Sequence, residues 1–215
     1  MAKQIAPPDQ LFRLIESERL VVADLLEGLT PEQLSTSGAC GRWTVQEVAG
    51  HLTTGWNVSL PKFALGMIRH RGFDGFNHEA GCKLGDRPIG EIVADIRTNA
   101  GHRFTPPGAG PEAPLSDVMI HAAELRDALS LEQVINPEAA SLMLGWLATP
   151  PKPTVFPLTD STGLHFVASD MSWESGSGAT VEGPSAALLL ALAGRETGFG
   201  QLTGDGVDLF RERAL

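Results

Sequence analysis

The proline-rich stretch "ATPPKPTVFP" at residues 148–157 separates two parts of the chain with different hydrophobic patterns. Its four prolines exclude a continuous helix there, because proline lacks the backbone N–H and its ring clashes with the preceding turn. Before this stretch, apolar residues recur at helical spacing, and after it they alternate as in strands. We therefore predict a helical domain over residues 1–150 and a small α+β domain over residues 151–215.

The helical part contains several helix signals. Apolar residues recur at helical spacing over residues 9–27, and "LTPEQL" opens a short helix with Thr30 as its N-cap. The glycine-rich residues 72–88 predict a loop, and Ser116 is the expected N-cap of a later helix. One more helix is predicted over residues 137–147. The expected fold class is therefore mainly α.

The C-terminal part combines strand signals with one strong helix signal. "GLHFVASD" and "GATVEGP" alternate in polarity and predict strands, with "SWESGSG" as the turn between them. "PSAALLLALAGR" predicts a helix with Pro184 at its first position and Gly194 just past its end. This mixture is typical of a small α+β domain.

The stretch "WTVQEVAGHL", which starts at Trp43, contains a complete helix-start signal. Thr44 and Glu47 have the spacing of a capping box, and the helix that they begin is predicted to continue through His51 toward His70. His51 lies in an apolar run of this helix. Because a buried imidazole needs polar partners, His51 is either a satisfied core residue or a residue that binds a ligand.

The stretch "DVMIH" supplies possible partners for His51. Asp117 and His121 are four residues apart, so on a helix they project from the same face and can bind one cation. His51 can add a third ligand from a facing helix of a bundle. Two histidines and one carboxylate leave coordination positions open, as catalytic metal sites do. The alternatives are an ordinary surface pair, and a second ligand set of His51, His121 and Glu124.

Composition excludes several classes of partner. The chain has 26 acidic and 16 basic residues, a formal net charge of −10, and no Lys/Arg cluster of the kind that nucleic-acid binding needs. No run approaches the roughly 20 apolar residues of a membrane span, and the N-terminus lacks the apolar core of a signal peptide. A cytoplasmic protein is therefore expected. Cys40 and Cys82 have no metal or redox spacing and are interpreted as structural thiols.

Three stretches carry a family resemblance: "GRWTVQEVAGHL", "PLSDVMIHAAELRDALSL" and "VEGPSAALLLALAGR". In them the chain resembles the mycothiol-dependent maleylpyruvate isomerase-like proteins of the DinB-like metalloenzyme superfamily. The stretches occur in the family's order and spacing, so the resemblance covers nearly the whole chain. It implies a DinB-like four-helix bundle followed by a small α+β C-terminal domain.

The resemblance also implies roles for individual residues. His51, Asp117 and His121 match the metal ligands, although the isomerases have glutamate where this chain has Asp117. Arg195 matches an active-site arginine, whose guanidinium suits a dicarboxylate substrate, with capping of helix carbonyls as the alternative. Independently of the resemblance, helical spacing places Arg126 one residue past the i, i+4 face of His121. It is expected at the rim of the cleft, and we assign it to binding of the thiol cofactor.

The activity that follows from this resemblance is metal- and thiol-dependent. Zinc fits the ligand types best, with nickel and ferrous iron as alternatives, and the implied thiol is mycothiol. A metal-activated thiolate that adds to an electron-poor double bond gives an isomerase or an S-transferase, with a small acid such as maleylpyruvate as substrate. A non-catalytic metal- or ligand-binding protein and a non-haem iron enzyme are the alternatives. The expected state is a monomer or a homodimer.

Overall fold

The structure, a computed structural model, describes residues 5–41, 43–70, 72–149 and 160–215. Its contacts divide the chain into a helical unit, Asp9–Glu132, and a C-terminal unit, Gln133–Leu215 with residues 5–8. Most of the proline-rich stretch lies outside the described residues. The division falls before the boundary predicted at residue 150, because the helix that precedes the prolines packs within the C-terminal unit.

The helical unit consists mainly of helices of unequal length. In chain order they are α1 (Pro8–Glu27), α2 (Pro31–Leu34), α3 (Val45–His51), α4 (Thr54–Asn57), α5 (Leu60–Arg69), α6 (Phe73–Gly85), α7 (Ile89–Thr98) and α8 (Glu112–Ala128). Between α2 and α3, the short strands β1 (Ser37–Cys40) and β2 (Trp43–Thr44) pair antiparallel. The predicted N-cap of α2 is confirmed, since the side chain of Thr30 accepts a hydrogen bond from the backbone N–H of Gln33.

Two predictions for the segment after Thr44 are wrong. The helix that begins there ends at His51 instead of continuing toward His70, and α4 and α5 follow as separate helices. Pro61 favours this restart because proline is tolerated in the first turn of a helix but not in its interior. Residues 72–88, predicted as a loop, contain α6.

The glycines of α6 serve helix packing. A Cβ at Gly50 of α3 would collide with the backbone of Gly81 and of Gly85. A Cβ at Gly81 would lie only 3.2 Å from the Cβ of His51. Because these positions lack side chains, α3 and α6 approach backbone to backbone. The glycine-rich sequence is therefore a contact surface that holds His51 in place.

Helix α1 buries charged residues together with apolar ones. Glu18 and Arg19 both lie on its buried face. Arg19 Nη1 donates to the carbonyl oxygens of Ala100 at 2.9 Å and His102 at 2.8 Å, and its guanidinium carbon lies 5.0 Å from the centre of the Trp56 ring. These carbonyls follow the end of α7, where helical hydrogen bonding stops. Arg19 therefore ties α1 to the segment after α7.

The C-terminal unit combines helices with a small sheet. Its elements are α9 (Pro137–Ala148), β3 (Leu164–Ala168), β4 (Glu174–Gly176), β5 (Ala179–Gly183), α10 (Ser185–Leu192), α11 (Glu196–Phe199) and α12 (Val207–Ala214). The sheet has the order β4-β3-β5, with β3 antiparallel to β4 and parallel to β5. Strand β4 lies within the segment predicted as a turn, because its backbone pairs with β3. The predicted fold class, mainly α with a small α+β C-terminal part, is confirmed.

The core of the C-terminal unit is apolar. The ring centre of Phe210 lies 5.0 Å from that of Phe166 and 5.0 Å from that of Phe199. Helix α10 is buried along its whole length, and Gly194, at a φ of 73°, follows its end as predicted. No helix in the described ranges is long and apolar enough to cross a membrane.

Candidate metal centre

His51 is the last residue of α3, and the predicted capping box fixes the start of that helix. Thr44 Oγ1 accepts from the backbone N–H of Glu47 at 3.2 Å, and Glu47 Oε2 accepts from the backbone N–H of Thr44 at 2.8 Å. Together with the glycine contacts to α6, this cap sets the position of the His51 side chain. That side chain is only 7% exposed.

Asp117 and His121 lie inside α8, which begins earlier than predicted. The helix starts at Glu112, and Ser116 is not its N-cap but an interior residue whose Oγ donates to the carbonyl oxygen of Ala113 at 2.8 Å. The earlier start is possible because the helix's proline lies in its first turn, where no intrahelical N–H bond is lost. Asp117 and His121 therefore project from one face of a regular helix.

Helices α3 and α8 bring the three predicted metal ligands together. Asp117 Oδ1 lies 3.4 Å from His51 Nε2 and 3.5 Å from His121 Nε2, and ligand atoms of all three residues lie within 4.8 Å of one another. Both distances exceed the roughly 2.7–3.2 Å of a good N–H···O hydrogen bond. They match the about 3.3–3.6 Å between ligand atoms placed tetrahedrally about 2.0–2.2 Å from a zinc ion. The donor set therefore fits a divalent cation.

The site is closed on the histidine side and open at Asp117. The side chains of His51 and His121 are 7% and 6% exposed, whereas that of Asp117 is 44% exposed. The part of the Asp117 side chain that is covered from solvent opposes ionisation, but the charges and polar contacts of the two histidines outweigh this effect and hold the pKa of the carboxyl well below its usual range. Asp117 is therefore ionised at neutral pH, as a metal ligand must be.

A second carboxylate contacts the opposite edge of the His121 ring. Glu124 Oε2 lies 2.7 Å from His121 Nδ1, and the Glu124 side chain is 5% exposed. Among the described residues, the converging donor set is His51, Asp117 and His121. The alternative set with Glu124 in place of Asp117 is not brought together around one point. His51 Nδ1 is buried and has no hydrogen-bond partner within the described part of the chain.

An aromatic ring packs against both histidines. The ring centre of Trp43 lies 4.9 Å from that of His51 and 6.1 Å from that of His121, and Trp43 Nε1 donates to His78 Nδ1. Trp43 is itself buried, with 8% of the residue exposed. Cys82 Sγ lies 3.8 Å from both ring nitrogens of His78. This cluster covers the histidine side of the centre.

Sequence reasoning missed two buried charges of α1, Glu18 and Arg19. Burial lowers the pKa of Arg19 to about 10, and the charge of Asp117 acts in the opposite direction. Burial also raises the pKa of Glu18, and the positive charge of Arg126 acts against this shift. Burial lowers the pKa of Arg126, and the negative charge of Glu18 acts against that shift. The missed signal is positional, because Glu18 and Arg19 occupy core-facing places in the apolar pattern of residues 9–27.

Arg126, predicted at the rim of the cleft, is buried. Arg126 is 9% exposed, and its Nε has no hydrogen-bond partner among the residues that the structure describes. A buried guanidinium with an unpaired N–H is costly in the absence of a partner. Arg126 therefore retains the capacity to donate to a bound molecule.

Residues 137–210 match the family model described as the MDMPI C-terminal domain. This part of the C-terminal unit is therefore similar in sequence to MDMPI C-terminal domains. The match begins with α9, which agrees with the division of the chain after Glu132. A comparison with curated proteins gave no sequence match.

The fold resembles solved structures of a mycothiol-dependent maleylpyruvate isomerase. A histidine-to-alanine mutant of that enzyme has a TM-score of 0.56 at 12% identity, with 93% of each chain covered. Another structure of the enzyme has a TM-score of 0.49 at 16% identity, again with 93% of each chain covered. The MDMPI C-terminal domain match and the fold shared with the mutant confirm the resemblance predicted from the sequence.

Arg195 lies within the residues that match the MDMPI C-terminal domain model, between α10 and α11. Its backbone N–H donates to the carbonyl oxygen of Leu190 at 2.9 Å, a hydrogen bond at the C-terminal end of α10. Arg195 is also the N-cap residue of α11. The helix end is therefore satisfied by the backbone of Arg195. Its side chain, which is half-buried, is not needed for that hydrogen bond.

Proposed function

We propose that this protein is a divalent-metal enzyme that uses a thiol, mycothiol, to isomerise or conjugate a small electrophilic acid such as maleylpyruvate. The observation that carries the proposal is the convergence of ligand atoms of His51, Asp117 and His121, which lie within 4.8 Å of one another. The MDMPI C-terminal domain and the shared fold support the choice of thiol and substrate class. Zinc is the metal proposed first, with nickel and ferrous iron as alternatives.

The residues at this centre are proposed to have different roles. A divalent ion bound there supplies a positive charge that keeps a thiol deprotonated and nucleophilic. Asp117 contributes the negative ligand and lies at the exposed side, where a substrate can approach. Trp43 packs on the rings of His51 and His121 and excludes water from the buried side.

Two arginines are proposed to bind the organic groups. Arg126, buried with an unpaired Nε among the described residues, binds the thiol cosubstrate. Arg195 binds a substrate carboxylate, for which a guanidinium provides two parallel N–H donors. Neither role requires a proton to leave the arginine, since the guanidinium stays charged at neutral pH.

The proposed reaction begins with addition of the thiolate to the activated cis double bond of the acid. The carbon–sulfur bond forms at one alkene carbon, and the electron pair moves to the conjugated carbonyl group. Rotation about the resulting single bond, followed by loss of the thiolate, gives the trans isomer. In a transferase, a proton is added to the adduct and the carbon–sulfur bond is kept.

The decisive experiment supplies zinc-loaded protein with mycothiol and maleylpyruvate and follows substrate and thiol together. An isomerase converts the acid without consuming thiol, whereas a transferase consumes one thiol for each acid. His121→Ala is expected to abolish either reaction, and His102→Ala, outside the converging donor set, serves as the matched control. Absence of any rate increase over protein-free solution would favour the non-catalytic alternative.

A non-haem iron enzyme is the second candidate, because two histidines and one carboxylate also form the facial triad of such enzymes. Elemental analysis of the purified protein distinguishes the two. Iron that gives an absorbance change under oxygen would favour this candidate, and zinc without such a change would exclude it.

A further inference from the structure

The two ring nitrogens of His121 contact two different carboxylates. Nε2 lies 3.5 Å from Asp117 Oδ1, at the converging donor set, and Nδ1 lies 2.7 Å from Glu124 Oε2. The side chains of His121 and Glu124 are 6% and 5% exposed, so that water competes little with their contact. The distance to Glu124 is that of a strong, charge-assisted hydrogen bond, and the distance to Asp117 is not.

This arrangement decides which nitrogen carries the proton. A neutral imidazole has one N–H donor and one nitrogen acceptor, and a carboxylate can only accept. Glu124 therefore holds the proton of His121 on Nδ1. The lone pair is left on Nε2, which faces His51 and Asp117.

His51 has no such arrangement. Its Nε2 also faces Asp117, but its buried Nδ1 has no hydrogen-bond partner among the described residues. The two histidines of the centre therefore differ. His121 has its proton and ring orientation set by a neighbour on the same helix, whereas no described residue contacts His51 Nδ1 in this way.

We infer that Glu124 is a positioning residue of the metal centre. It fixes His121 in the Nδ1–H tautomer and thereby raises the affinity for the metal without binding it. The inference rests on the proposed metal centre. Partners of this kind typically change metal affinity by about 10–100-fold, so Glu124→Ala is expected to weaken zinc binding by that factor.

The test combines two measurements on the full chain. Competition with a chelator of known affinity gives the dissociation constant for zinc, and long-range proton–nitrogen NMR spectra of the metal-free protein give the tautomer of each histidine. Glu124→Ala should lose the Nδ1–H tautomer of His121 together with the affinity. Glu124→Gln, whose amide oxygen can accept the same hydrogen bond, should keep the tautomer and most of the affinity.

The matched controls lie in the same molecule. Glu112 is another buried glutamate of α8, and Glu112→Ala and Glu112→Gln are expected to leave both measurements unchanged. The tautomer of His51 should be the same in all variants. Equal losses at Glu112 and Glu124 would mean that helix packing was measured, and would overturn the inference.

Two further outcomes separate the inference from the proposed function. Zinc affinity within twofold of the wild type in Glu124→Ala, with an unchanged His121 tautomer, would overturn the positioning role and leave the metal centre intact. If the wild type binds no zinc, the proposed function fails. The NMR measurement then decides alone whether Glu124 sets the tautomer of His121.

Discussion

The helical unit and the C-terminal unit both have apolar cores, but among the described residues the helical unit also buries several charged side chains and the C-terminal unit buries none. Among the described residues of the helical unit, the buried polar and charged residues are Glu18, Arg19, His51, Thr53, Glu112, Ser116, His121, Glu124 and Arg126. In the described part of the C-terminal unit, the corresponding residue is Ser185 alone. Apolar side chains fill the remainder of that interior, including the cluster around Phe210.

The difference indicates where the chemistry is. Burying a charge costs free energy unless it is paired, and even a buried ion pair often contributes less than apolar residues of the same volume. A core built only for stability would resemble that of the C-terminal unit, whose burial of aromatic and aliphatic area is favourable. Arg19 has structural partners at the end of α7, whereas the convergence of the buried His51 and His121 on Asp117 is best explained by binding.

The largest effect is expected at the metal ligands. Asp117→Ala should reduce zinc affinity by more than the about 10–100-fold that follows loss of an outer-shell partner, because one of three protein ligands disappears. Elemental analysis after dialysis measures this. Asp127→Ala, a change of the same kind on the same helix, should leave the metal bound. Unchanged metal content in both Asp117→Ala and His51→Ala would refute the site assignment.

In the C-terminal unit, a core mutation is expected to reduce the free energy of unfolding without changing zinc affinity. Phe210→Ala should lower the free energy of unfolding by about 3–5 kcal/mol, since it removes a fully buried ring and leaves a cavity, while zinc affinity stays unchanged. Denaturant unfolding and chelator competition measure the two quantities. Leu209→Ala, at the neighbouring and 38% exposed position of α12, should change stability by less than about 0.5 kcal/mol. Weaker zinc binding in Phe210→Ala would contradict the expectation that the C-terminal core contributes to stability and not to metal binding.

The contrast has one proposed exception, Arg195. If its guanidinium binds the substrate carboxylate, Arg195→Ala should lower kcat/KM for an acidic substrate by about 10–100-fold, the equivalent of a charge-assisted contact of about 1.5–3 kcal/mol. Zinc content should not change. Arg213→Ala, which removes the same charge elsewhere in the C-terminal unit, is the control. Unaltered kinetics in Arg195→Ala would leave the C-terminal unit with a structural role only.

The smallest effect is expected for Glu18 of the helical unit. Burial raises its pKa in the folded state despite the charge of Arg126, so the folded protein holds this proton to a higher pH than the unfolded chain. Ionising Glu18 therefore costs stability as the pH rises from about 4.3, the unfolded value, through the raised folded-state pKa.

The neutral variant Glu18→Gln removes that cost. Its unfolding free energy should equal that of the wild type in acid and exceed it at neutral pH, as measured by denaturant unfolding across the range. Glu16→Gln, an exposed position of the same helix, should show no such difference. If the free energy of unfolding of the wild type instead rose relative to that of Glu18→Gln with increasing pH, the pKa of Glu18 would be lowered by folding and not raised.

Local features of the candidate site were predictable from the sequence. The capping box of Thr44 and Glu47 acts over three residues, and the pair of Asp117 and His121 depends only on helical spacing. Such signals survive in any fold that contains the helix. The expectation that His51 joins Asp117 and His121 needed the family resemblance as well, because no local spacing relates residues on different helices.

Features that depend on packing were not predictable. The glycines of residues 72–88 have the composition of a loop, and they form α6 because α3 needs a surface without side chains to pack on. Glu124 was considered as a metal ligand, and the fold instead places it against His121 Nδ1. The buried positions of Glu18 and Arg19 contradict the usual preference of charged residues for the surface.

The sequence by itself determined the mainly helical class, the helix start before His51, the helical face shared by Asp117 and His121, and the apolar helix α10 of the C-terminal unit. Each of these follows from periodicity or capping within a few residues. Only the tertiary structure decided that His51 Nε2 lies 3.4 Å from Asp117 Oδ1 and that the two histidines differ at Nδ1. The reason is physical: distances between side chains on separate helices depend on how the helices pack, and that packing depends on the whole core at once.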